Sequence, residues 1–191
     1  MKFREDPYYI RQVLNGDNAA YRMLVEKHQD LVYTIVHRVV LSTEEAEEVA
    51  QDVFVKAYSK LSDFKAEAKF STWIYRIAYN TAVSHTRKKK VEFLAMDEEM
   101  IENHSEDEMQ QEIMGLSTEK QSQLIKKALG VLPRTDNLII SLFYYHGKDL
   151  EEISEIVGLT QNNVKVKLFR IRKKLLKEMT VLMDQNINTV A

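Results

Sequence analysis

Residues 149–178 read DLEEISEIVGLTQNNVKVKLFRIRKKLLKE. Asp149 is placed as an N-cap with Glu152 at the third helical position, the reciprocal pairing of a capping box. Leu150, Ile153, Ile156 and Val157 then form an apolar stripe at helical spacing, and Gly158 closes it. Leu159 leads to Thr160, a second N-cap, after which Val164, Leu168, Ile171 and Leu175 continue on one face. The pattern predicts a helix, a short glycine-containing turn and a second helix, the arrangement that sets one helix into the DNA major groove.

The second helix carries chemistry suited to that place. Seven basic residues and no acidic one lie between Lys165 and Lys177. At about 100° per residue from the inward Val164, the outward face falls on Asn162, Asn163, Val166, Phe169, Arg170 and Lys173. Amides and an arginine near a helix start suit base edges, and a valine packs on a thymine methyl. Lys165, Lys167 and Arg172 fall on the flanks, where phosphates lie.

The other 161 residues divide around an acidic segment. Between Val91 and Glu119 there are ten Asp or Glu and no Lys or Arg. With those ten set aside, 27 basic residues face 19 acidic ones, so a basic protein stands behind a net formal charge of −2. An acidic stretch with few aromatics buries too little to offset its ordering entropy and reads as a flexible linker. The expected organisation is all-α: two small helical domains, 1–90 and 120–185, an acidic linker over 91–119 and a tail over 186–191.

Helix signals also fill the first domain. Asp6 and Pro7 predict an N-cap and a first-turn proline, with Gly16 ending that helix. Tyr21, Leu24, Val25, His28, Leu31, Val32, Ile35, Val36 and Val39 keep a helical period. Ser42-Thr43-Glu44-Glu45 forms a second capping box, opening a helix with Ala46, Val49, Ala50, Val53, Phe54, Ala57 and Leu61 inside. The opposite face is acidic at its start, with Glu44, Glu47, Glu48, Gln51 and Asp52. Residues 70–90, FSTWIYRIAYNTAVSHTRKKK, then bring four aromatic rings and a closing run of four cations. Trp73, Ile77 and Tyr79 or Ala78 are expected inward, and Tyr75, Arg76, Asn80, Ser84 and Arg87 outward. Exposed rings that stack on unpaired bases, with Arg and Lys on the phosphates, are what single-stranded nucleic acid calls for.

Several classes are excluded. No apolar run approaches the length that spans a bilayer, and the start MKFREDPYYI lacks the apolar core of a secretory signal, so a cytoplasmic protein is expected. The absence of cysteine removes disulfides and thiolate metal sites. Five scattered glycines form no phosphate loop, and the five histidines stand singly, so no enzyme site, metal or cofactor is expected. A transcriptional regulator using only the helix-turn-helix is the alternative reading, distinguished by binding duplex DNA alone.

These residues resemble a known family. EEAEEVAQDVFVKAYSKL followed by FSTWIYRIAYNTAVSHTRKKK is similar to the second conserved region of bacterial RNA polymerase sigma factors. LPRTDNLIISLFYYHGKDLEEISEIVGLTQNNVKVKLFRIRKKLLKE is similar to their fourth. Two such regions joined by a variable linker resemble the extracytoplasmic-function (ECF) group. The resemblance implies that Glu48, Gln51 and Asp52 dock on core RNA polymerase. It implies minus-ten promoter contacts by Lys65, Lys69, Trp73, Tyr75, Arg76, Tyr79, Asn80, Ser84, His85, Arg87 and Lys88, with a flipped base captured between Ser62 and Tyr79. It implies minus-thirty-five contacts by Thr160, Gln161, Asn162, Asn163, Lys165, Val166, Lys167, Arg170 and Lys173. Val166 departs from the small polar residue common in the family, so no hydrogen-bonded readout is implied there. An anti-sigma partner is implied as well. The acidic linker is expected to follow the polymerase channel as an RNA mimic, or to fold back on the basic faces in free protein.

Overall fold

The structure is a computed structural model that describes residues 4–89 and 118–188. Among the described residues it contains eight α-helices and one short 3-10 helix, with no strand. Residues 91–117 of the acidic segment, and the roles expected of them, lie outside the described residues. By contact the chain forms two compact units, and the second stretch of the first is Lys148–Gln161.

The first unit opens with α1 (Asp6–Leu14), α2 (Ala19–Val40) and α3 (Thr43–Ser59), followed by a 3-10 turn at Leu61–Asp63 and α4 (Phe70–Lys89). Glu5, not Asp6, takes the N-cap position of α1. Asp6 lies one residue inside, where its carboxylate turns to Lys27 Nζ at 2.7 Å instead of to its own helix start. Leu24, Val32, Ile35 and Val36 of α2 meet Ala46, Val49, Val53 and Ala57 of α3 in the core, all fully or almost fully buried. The alanines let the helices approach closely. Ser42 Oγ caps α3 by accepting from the Glu45 N–H at 3.4 Å. Leu41, at φ 71, makes the left-handed turn between α2 and α3.

The buried line of α4 runs through Phe70, Ile74, Ala78 and Ala82, with Tyr75 beside it. This corrects the expected phase. Trp73, Ile77 and Tyr79 are half-buried at the borders of that line, and Tyr75 is inside. The short helix α7 (Leu150–Val157) belongs to this unit through its contacts with α4. Its Asp149–Glu152 capping box is present in both directions, and Gly158 ends it at φ 71.

The second unit contains α5 (Thr118–Gly130), α6 (Arg134–Tyr144) and α8 (Gln161–Asn188) from Asn162 onward. Leu124, Ala128 and Met179 form a buried cluster with Leu175, Leu182 and Met183 against it. Val164, Leu168 and Ile171 are buried, which is the inward line expected of this helix. Asn137 Nδ2 donates to the Leu129 carbonyl at 2.7 Å and ties α6 to the end of α5.

Candidate nucleic-acid interface

One face of α4 gathers most of the expected minus-ten residues. Lys69, just before the helix, and Trp73, Arg76, Asn80, Ser84 and Arg87 recur at intervals of three or four and therefore share a face. All are exposed except Trp73, which is half-buried. Its indole is fixed from both sides by the rings of Phe64, centroid at 5.3 Å, and Phe70, at 5.6 Å. A ring held in this way keeps an open edge at little cost in side-chain entropy.

Beside Trp73 the loop 63–69 bounds a cleft of about 300 Å³, lined by Phe64, Lys65, Glu67, Trp73, Arg76 and Glu155 among others. Ala66 turns this loop with φ 57, a left-handed conformation that an alanine adopts only under strain. Charged groups of both signs and one aromatic wall suit a base edge that must be hydrogen-bonded and stacked together.

Two expected contacts are placed differently. Tyr75 is 5% exposed and its hydroxyl lies 3.1 Å from His28 Nδ1, so the ring is core and not surface. Burial, then the nearby carboxylates of Asp6 and Glu152, push its phenol up to about 12. His85 is part-buried, with Nε2 3.1 Å from Glu45 Oε2. Lys88 lies in the last turn of α4, and its side chain is outside the described residues. Tyr79 is half-buried and Lys65 exposed in the loop.

On α3, Glu48, Gln51 and Asp52 are all exposed. Gln51 also borders a shallow groove of about 600 Å³ between α2 and α3, with Tyr33, Glu47 and Phe54. The first turns of α3 thus offer a negative face with an apolar rim.

Along α8, Gln161, Asn162, Asn163, Lys165, Val166, Phe169 and Arg170 are exposed, as is Thr160 before it. Lys173 is half-buried. Lys167 Nζ instead donates to Asp136 Oδ1 at 2.8 Å, which draws it toward α6. Arg172 Nε donates to the Tyr144 hydroxyl at 2.8 Å, and its guanidinium lies near the rings of Phe143 and Tyr144.

Sequence reasoning missed Glu152 and Glu155, which meet the α4 surface. Burial raises the Glu152 carboxyl, but hydrogen bonds from Lys69 and Lys148 outweigh it and hold the group below its ordinary value. No cluster of His, Asp and Glu able to hold a metal occurs among the described residues.

Residues 24–91 match the Sigma-70 region 2 family and residues 122–175 match Sigma-70 region 4. The chain is 31% identical over 181 residues to the ECF RNA polymerase sigma factor SigW of Bacillus subtilis (strain 168), an alignment covering 89% of this chain and 94% of that protein. The chain belongs to the ECF sigma factors. It is also 28% identical to the RNA polymerase sigma-H factor of Pseudomonas aeruginosa, over 95% of this chain and 97% of that one. The fold is similar to CnrH, solved in complex with the cytosolic domain of CnrY, with a TM-score of 0.62, 22% identity and coverage of 94% and 97%. It is similar too to RpoE of Bartonella quintana in complex with the anti-sigma factor NepR, with a TM-score of 0.60, 20% identity and coverage of 84% and 97%. As an ECF sigma factor the chain binds core RNA polymerase and directs promoter-specific transcription initiation.

Proposed function

We propose that the α4 face from Lys69 to Arg87 takes the melted minus-ten strand, with one base turned into the cleft beside Trp73. The alignment of Lys69, Trp73, Arg76, Asn80, Ser84 and Arg87 on one face next to that cleft carries the reading. Arg and Lys hold phosphates, and the indole supplies the stacking surface. Tyr75 has no part in it, because its ring is inside.

Glu48, Gln51 and Asp52 dock on a basic surface of core polymerase, an assignment supported by their shared exposure at the acidic start of α3. The exposed Asn162, Asn163, Val166 and Arg170 read the minus-thirty-five element, with Lys165 and Lys173 on phosphates. Residues 1–90 and 120–185 act as the two promoter-binding regions. The chain works in the cytoplasm, where polymerase and promoter meet, and is not itself an enzyme. An anti-sigma protein holds it inactive, a proposal supported by the structural neighbour RpoE of Bartonella quintana, solved in complex with the anti-sigma factor NepR.

The test is transcription in vitro from a pool of random promoter-length duplexes with core polymerase. The native chain is expected to select transcripts whose templates share two motifs at fixed spacing. Arg76→Ala combined with Asn80→Ala is expected to lose those transcripts while still co-eluting with core polymerase. Unchanged transcripts from the double variant would sink the α4 assignment.

A further inference from the structure

The indole of Trp73 does not hold itself in place. It is half-buried at the border of α4 and rests on two rings, Phe64 at 5.3 Å and Phe70 at 5.6 Å between centroids. Phe64 belongs to the loop, whereas Phe70 is anchored in the core at 3% exposure. Against Phe70 stands an imidazole. The His28 ring of α2, 4% exposed, meets Phe70 edge-on at 5.5 Å and Tyr75 at 5.8 Å.

Both ring nitrogens of His28 are engaged. An ionised carboxylate only accepts, so Nε2 donates to Asp6 Oδ2 at 3.2 Å, while Nδ1 lies 3.1 Å from the Tyr75 hydroxyl. An imidazole bonded at both nitrogens cannot turn without giving up both bonds. Asp6 is itself held by Lys27 Nζ at 2.7 Å. A continuous path of contacts thus runs from α1 through His28 and Phe70 to Trp73. Its Asp6 end lies ahead of residues 24–91, the segment that matches the Sigma-70 region 2 family. An aliphatic side chain would fill the space of His28 without the cost of burying polar atoms. What the fully bonded ring adds is a single orientation, since a satisfied polar network makes the packing around it unique.

We propose that His28 is a positioning residue for strand capture: locked by Asp6 of α1, it holds Phe70 and through it sets the plane of the Trp73 indole on which the turned-out base stacks. This rests on the reading of Trp73 as the stacking surface. A ring already held in its bound orientation need not be ordered by the base. Once released, the indole takes several orientations, and capture weakens by the fraction that remains in the stacking one.

Trp73 is the sole tryptophan, so its fluorescence reports the indole in the full-length chain. His28→Gln keeps a donor for Asp6 and takes the ring away from Phe70. In holoenzyme, on a promoter selected by the native chain, this variant is expected to convert the closed complex to the open one about three- to tenfold more slowly, with closed-complex affinity unchanged. In the free variant, acrylamide quenching of the indole and its fast depolarisation are both expected to rise. Asp6→Ala leaves the ring in the core but unlocks it from α1, and it carries the test where His28→Gln does not fold. It is expected to move the fluorescence the same way and to slow opening about threefold. Tyr75→Phe is the control for lost stability, because it also removes a bond to the imidazole but keeps the Asp6 anchor and the ring against Phe70. Its indole signal and opening rate are expected to match the native chain. Native quenching in both His28→Gln and Asp6→Ala, or an opening defect no greater than that of Tyr75→Phe, overturns the positioning role. If Trp73→Ala opens the promoter as fast as the native chain, the stacking reading fails and takes the function of His28 with it, whatever the quenching. A slow Trp73→Ala beside a fast His28→Gln strikes the positioning role alone.

Discussion

The Tyr75 hydroxyl lies 3.1 Å from His28 Nδ1, which joins α4 to α2 inside the core of the first unit. The other ring nitrogen of His28 lies 3.2 Å from Asp6 on α1, so one polar line crosses three helices. Buried polar groups are costly when left without partners. Tyr75→Phe is therefore expected to lower stability by about 1–2 kcal/mol in urea unfolding followed by circular dichroism. Initiation by the folded variant at low temperature is expected to match the native chain. A selective loss of promoter binding without a loss of stability would return Tyr75 to the DNA surface.

The acidic start of α3 allows a cleaner separation of binding from folding. Glu48 and Asp52 are exposed, and the inward line of the same helix does not involve them. Glu48→Lys with Asp52→Lys is expected to weaken core polymerase binding at least about tenfold through like-charge repulsion. The thermal midpoint is expected to change little, since exposed substitutions cost about 0.5 kcal/mol or less. Native affinity for core polymerase in the double variant would move the docking face elsewhere.

The helices and the inward line of α8 were legible because their apolar residues are aliphatic and strictly periodic. Val164, Leu168 and Ile171 leave no other phase. The phase of α4 was harder to read, since Trp73, Tyr75 and Tyr79 are each amphipathic and fit a core, a border or a surface. Its exposed side was nevertheless marked by Arg76, Asn80, Ser84 and Arg87, which no core accepts unpaired. The meeting of Lys69 with Glu152 joins residues 83 apart, and no local spacing encodes it. Glu152 already had a local role in the capping box, which accounted for it without a distant partner.

On α8, Arg170 and Lys167 are predicted to part company. Arg170 is exposed on the outward face, whereas Lys167 pairs with Asp136 at 2.8 Å. Arg170→Ala is expected to cost about 1–3 kcal/mol of promoter binding by the holoenzyme and to relax sequence preference within the minus-thirty-five element. Lys167→Ala is expected to leave that preference intact and weaken binding evenly, as loss of a flanking charge does. Holoenzyme binding to duplexes substituted base by base distinguishes the two.

Gly158 ends α7 at φ 71, and a Cβ added there meets no atom within 4 Å. The cost of Gly158→Ala is therefore one of backbone conformation alone, about 1 kcal/mol in unfolding. Asn, which tolerates the left-handed region better, is expected to recover part of that loss. Equal stability of all three chains in urea would show that the turn relaxes to another conformation.

The Asp6–His28–Tyr75 line also sets the pH dependence of stability at both ends of the scale. Burial pushes the Asp6 carboxyl up, but hydrogen bonds from His28 and Lys27 and their charges outweigh it and hold the group below its ordinary 3.8. A lowered carboxyl contributes stability that is complete above the unfolded value and is lost as pH falls through the folded one. Asp6→Asn is therefore expected to flatten the acid limb below pH 3.8. For Tyr75 the sign reverses. Its phenol is raised from 10 to about 12, so its contribution is complete below pH 10 and is lost as pH rises toward 12. Tyr21, also raised by burial and by Tyr58, keeps part of that alkaline limb in Tyr75→Phe. Urea midpoints measured across both ranges are expected to show a shallower alkaline slope for Tyr75→Phe and a shallower acid slope for Asp6→Asn. An alkaline slope in Tyr75→Phe equal to that of the native chain would mean that the buried hydroxyl is not what resists ionisation there.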